Sequence, residues 1–147
     1  MHLILGVQRL ASLHLYYIDS RILTNMAYFY SIRGWLEVEP DNFASVTGLI
    51  QSLQASYLKD TKIGLYLQGW CWNSQPVNWT QYVFYGADIT EDGLELFKDT
   101  LSKLITLKGN LSGYFHAQGE DGEKNFVYRV VDDRLMMETD SILVAVT

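Results

Sequence analysis

Few side chains in this sequence are able to do covalent chemistry. Residues 26–147 contain one histidine, His116, in the phrase Gly113-Tyr114-Phe115-His116-Ala117, where a base could serve Ser112 or Cys71 as nucleophile. Neither residue lies in a G-x-S-x-G elbow, and Cys71, between Trp70 and Trp72, reads as a small buried hydrophobe rather than a reactive thiol. Glu120, Asp121 and Glu123 offer oxygen ligands for calcium, but the EF-hand spacing is missing and Asp121-Gly122 is ordinary hairpin-turn chemistry. There is no Walker loop, no G-x-G-x-x-G and no Cys/His set with zinc spacing. The expectation is a protein that is not an enzyme, with no catalytic residues, no metal and no cofactor.

Recognition is the chemistry that remains. The chain carries 10 Tyr, 6 Phe and 4 Trp, an excess of aromatic side chains that anchor interfaces as readily as they fill cores. Trp70, Trp72 and Trp79, with Tyr82 and Tyr85, concentrate on one stretch, where two readings stand open: rings presented to a partner, or rings packed beneath helices. Acidic residues gather at Glu37, Glu39 and Asp41, and again at Glu120, Asp121, Glu123, Asp132 and Asp133. Such runs are commonly solvated faces, yet an acidic rim around an aromatic centre suits rapid capture of a basic protein. The residues expected to bind a partner are Trp70, Trp72, Trp79, Glu37, Glu39, Asp41, Glu120, Asp121 and Glu123. With 11 Lys and Arg against 17 Asp and Glu, a net charge of −6, free nucleic acid is a poor partner, because the chain repels phosphates.

These residues must be held by a framework, and 147 residues suffice for one domain with one core. A single cysteine cannot form an intramolecular disulfide, which fits a reducing, cytoplasmic setting. The first 22 residues lack the features of a signal peptide, and Arg9, Asp19 and Arg21 argue against a membrane span. Met26 precedes the first clear strand pattern, so residues 1–25 read either as an upstream extension or as an accessory helix, and residues 26–147 as a single domain. The extension has a net charge of +1, which leaves −7 for the domain.

Tyr28 to Val38 reads as a strand, ended by Pro40, and a helix follows with Asp41 as its N-cap and Phe43, Val46, Leu49, Ile50, Leu53, Tyr57 and Leu58 as its buried stripe. Lys62 to Trp72 alternates as a strand, with Trp79 to Ile89 as the returning arm of a hairpin. Thr90 caps a second helix that stops at Gly109. Strands are expected over Leu111–Gln118, Phe126–Val131 and Arg134–Glu138, with a further one at Ser141–Val146. Gly34, Gly64 and Gly69 inside strands mark bulges or close backbone approach. The order predicts an α+β fold: an antiparallel sheet with two helices on one face, ferredoxin-like or a related sandwich.

An aromatic strand carrying Gly34-Trp35, a helix from Asp41, the phrase Gly113-Tyr114-Phe115, the turn Glu120-Asp121-Gly122-Glu123, Asn125-Phe126-Val127-Tyr128-Arg129-Val130 and Arg134-Leu135 together resemble the small α+β immunity proteins of bacterial polymorphic and contact-dependent toxin systems. The resemblance covers Met26 to Glu138 in outline and transfers no functional residue. It implies a cytoplasmic, non-enzymatic inhibitor that binds a cognate toxin domain, for example a basic nuclease, and blocks its active site or its access to substrate. The rival expectation is a small-ligand or carbohydrate-binding domain whose tryptophans stack on the ligand.

Overall fold

The computed structural model describes residues 27–57, 62–139 and 142–145. Both readings of residues 1–25, the start at Met26 and the side chain of Leu58 lie outside the described residues. Seven antiparallel strands form one sheet in the order β2-β3-β1-β4-β5-β6-β7: β1 Phe29–Val38, β2 Trp70–Trp72, β3 Gln81–Thr90, β4 Ser112–Gly119, β5 Asn125–Val131, β6 Arg134–Thr139 and β7 Ile142–Ala145. Helix α1, Pro40–Tyr57, follows β1, a 3-10 helix over Lys62–Gly69 leads into β2, and helix α2, Glu91–Ile105, links β3 to β4. The β2-β3-β1-β4 portion is the split βαβ arrangement of the ferredoxin-like fold, and β5, β6 and β7 extend it as a meander.

Strand alternation determines which side is core. Tyr30, Ile32, Leu36 and Val38 of β1, with Val83, Tyr85 and Ile89 of β3 and Phe115 and Ala117 of β4, are buried beneath the helices. Leu94, Phe97, Leu101 and Leu104 of α2 and Val46 and Ile50 of α1 meet them. Thr90 caps α2 by accepting a hydrogen bond from the Gly93 N–H at 3.2 Å, and Glu91 and Asp92 follow in the first turn, where negative charge is favoured.

Helix α1 begins two residues earlier than expected. Pro40 is its first residue, a position that tolerates the missing N–H, so Asp41 sits in the first turn rather than at the cap. The larger correction concerns 62–69, which is a 3-10 helix and not a strand. Gly64, Leu67 and Trp70 are all buried and recur every three residues, the period of a 3-10 helix, while Leu65 is exposed. Gly64 and Gly69 therefore lie in that helix. Gly34 does stand in a strand at a close approach: a Cβ there would lie 2.0 Å from the Tyr114 carbonyl oxygen on β4.

Candidate functional site

The cluster of Trp and Tyr between 70 and 85 divides between two sides of the sheet. Trp70 is 4% exposed and stacks on Phe97 with ring centroids 5.7 Å apart and planes 13° from parallel. Tyr85 packs edge-on to Trp70 at 4.9 Å, and its buried hydroxyl donates to the Tyr66 carbonyl at 2.8 Å. Burial holds the Tyr85 phenol well above its ordinary pKa of 10.0. Trp70 is thus a core residue and leaves the partner-binding set, because nothing outside the molecule can reach its ring. Trp72, on the same side of β2, is half-buried against the core. Trp79 is 80% exposed in the loop before β3.

The opposite side of the sheet is where aromatic surface accumulates. No described element covers it. Trp35, Tyr82 and Phe84 are each about two-fifths exposed there, an unusual investment of large apolar rings in water contact. Trp35 is the Cα partner of Phe84 on one side and of Tyr114 on the other. Its ring lies 5.5 Å from that of Tyr114, whose other neighbour is the Arg129 guanidinium at 5.0 Å, itself held by Glu138 through a 3.0 Å ion pair. Tyr82 stacks with Phe84 at 6.0 Å along β3. A band of rings therefore crosses β3, β1 and β4.

Carboxylates flank this band unevenly. Glu37 lies on the uncovered side and pairs across β1–β3 with Tyr82, and Glu39 follows just past the strand end. These two, with Thr80, Val131 and Asp132, line a shallow groove of about 240 Å³ next to the loop that carries Trp79. Asp41 is exposed at the start of α1 beside this end, where Asn42 donates to the Gly109 carbonyl at 3.1 Å. Glu37 and Glu39 are thus brought together beside Tyr82. Glu120, Asp121 and Glu123 are not: the Glu120 N–H donates to the Phe29 carbonyl at the far end of β1. At about 3.3 Å per residue that end is roughly 26 Å from Glu37. The turn is tied down by Tyr28, whose hydroxyl donates to the Asp121 carboxylate, while Asp121 also accepts from the Glu123 N–H at 2.9 Å. This holds the Asp121 carboxyl below its ordinary pKa of 3.8.

The residues with catalytic potential do not assemble. Ser112 and His116 lie on one strand face four residues apart, about 13 Å, and Cys71, exposed and not buried as its tryptophan neighbours suggested, lies three strands and two residues away from His116, about 16 Å at the usual spacings. A nucleophile and its base must come within hydrogen-bond reach, so neither pairing forms here. Among the described residues no group of three or more His, Cys, Asp or Glu could hold a metal ion, and no helix is long and apolar enough to cross a membrane.

Trp35, Phe84 and Tyr114 were not singled out as binding residues by sequence. Both alternating sets on β1 and β3 contain aromatics, so periodicity alone does not say which set the helices cover.

No family model, curated protein or solved structure matches the chain.

Proposed function

We propose that this protein is a non-enzymatic immunity protein that binds a basic toxin domain, such as a nuclease, in the cytoplasm and neutralises it by steric occlusion. The observation that carries the reading is the uncovered aromatic band of Trp35, Tyr82 and Phe84, adjoined at one end by Glu37, Glu39 and Asp132, with a further exposed ring, Trp79, in the loop before β3. Large rings supply the buried anchors of an interface, and carboxylates beside them steer a cationic partner and fix its orientation. The resemblance of the domain to toxin-system immunity proteins points the same way, as does the overall charge of −6.

The test is a pull-down with the product of the adjacent gene, combined with protection of cells expressing that product. Binding and protection are expected from the wild type. Phe84→Ala should weaken binding, and Glu37→Lys with Glu39→Lys should slow association and reduce its salt sensitivity. Absence of both binding and protection in the wild type overturns the reading.

A further inference from the structure

The middle of the uncovered sheet face differs in character from its acidic end. Gly86, Arg33 and His116 form one row across β3, β1 and β4, and Cys71, Phe84, Trp35 and Tyr114 form the adjacent row across β2, β3, β1 and β4. Gly86 leaves a notch in its row, since a Cβ placed there meets nothing within 4 Å. Residues of these two rows line an open groove of about 720 Å³. That volume falls within the roughly 300–1,000 Å³ of small-molecule sites, which are mostly apolar with a few polar groups that fix orientation.

Arg33 is the charged group in this groove. Its guanidinium makes a long 3.4 Å hydrogen bond to the Gln118 side-chain carbonyl and pairs with no carboxylate among the described residues. Asp88, the nearby acid on β3, instead accepts from the Ser31 hydroxyl. Arg129, one row away, shows the contrasting case, with both an ion pair and a ring face. His116, half-buried and directly across from Arg33, adds a ring N–H or acceptor to the same wall. A guanidinium without a counter-charge, set beside exposed rings, matches a flat ligand with a negative group: the rings take the π-face and the fork of N–H donors takes the anion.

We infer that this groove binds a planar aromatic ring bearing an anionic group, with the ring against Trp35 and Phe84 over the Gly86 notch and the anion on Arg33. The inference shares Trp35 and Phe84 with the toxin reading but turns on Arg33 and the Gly86 notch, which that reading does not use, so a small-ligand test can fail or succeed independently of toxin binding. A neutral apolar ligand would use the rings but leave Arg33 unmatched, and a cation would be repelled by it.

The experiment compares 2-naphthoate with its neutral counterpart 2-naphthamide by calorimetry and by amide chemical shifts of the full chain. The naphthoate is expected to bind about tenfold more tightly, as one charge-assisted bidentate contact provides, and to shift the amides of Arg33, Trp35 and Gly86. Arg33→Gln should erase the preference and leave naphthamide binding unchanged, and Gly86→Val should weaken both. Equal affinity of the wild type for the two probes, shifts elsewhere only, or a preference that survives in folded Arg33→Gln would overturn the inference. Should Arg33→Gln not fold, loss of the wild-type preference at raised salt supports it, and a salt-independent preference refutes it.

Discussion

Trp35 and Phe84 are opposed Cα partners on β1 and β3, and both rings project to the side of the sheet that carries no helix. Through the sheet, Trp70 and Phe97 stack on the covered side. The same residue types thus hold the fold together on one face and remain available on the other. Substitutions can separate the two roles.

Trp70→Ala should cost about 3–5 kcal/mol, because it empties the centre of the aromatic core, whereas Trp79→Ala should change stability by less than about 0.5 kcal/mol. Trp70→Phe should cost much less than Trp70→Ala. The buried Trp70 Nε1 has no hydrogen-bond partner, so replacing the indole orphans no acceptor. Chemical denaturation of the three variants with unchanged m-values checks the ranking.

Two glycine substitutions should move stability in opposite directions. Gly34→Ala places its methyl 2.0 Å from the Tyr114 carbonyl oxygen and 2.5 Å from the Phe115 Cα, backbone atoms that cannot step aside without spreading β1 from β4. A loss of about 3 kcal/mol is expected. Gly48→Ala, exposed within α1 and with nothing within 4 Å, should stabilise by about 0.5–1 kcal/mol. Thermal melts of the pair, with Tm shifts of opposite sign, test this.

The Tyr28–Asp121 tie should respond to pH at both extremes. Asp121 has a lowered pKa, chiefly through the Tyr28 hydrogen bond, so its contribution is present above the ordinary 3.8 and disappears as pH falls through the lower folded value. Tyr28 is pushed up to about 12 by burial and by Asp121, so the contribution is complete below pH 10.0 and is lost as pH rises towards 12. Carboxyl-carbon NMR should give Asp121 a midpoint below 3.8 that moves back up in Tyr28→Phe.

Thr90→Ala should cost about 1 kcal/mol by removing the side-chain oxygen that satisfies the Gly93 N–H at the start of α2. Thr90→Ser, which keeps the oxygen, should recover most of it. Urea denaturation of both variants measures the difference.

Much of this architecture could be read from residue patterns. The β1 stripe of Tyr30, Ile32, Leu36 and Val38, the α2 stripe with its Thr90 cap, and the Asp132-Asp133 turn, with both φ values positive, are local signals that tertiary structure did not override. The 62–69 segment departs from its pattern: Ile63, Leu65 and Leu67 fit the two-residue period of a strand, while burial follows the three-residue period of Gly64, Leu67 and Trp70. The candidate site was only half legible. Charge and residue type single out Glu37, Glu39 and Trp79, of which Glu37 and Glu39 line one groove, but the rings of Trp35, Phe84 and Tyr114 become neighbours only through strand order, a property of the sheet and not of any one segment.

The 3-10 turn over Lys62–Gly69 also has a bearing on self-association. Had those residues continued as a strand, β3 would have gained a long partner whose own outer N–H and C=O groups lay open to another chain. Instead β2 is three residues long, and the preceding helix is fixed to the domain by Gln54, which donates to the Leu67 carbonyl at 3.0 Å, and by the Tyr85 hydroxyl on Tyr66. A strand that short is a poor template for edge-to-edge pairing. On this side of the sheet, the eight helical residues act as a guard against aggregation.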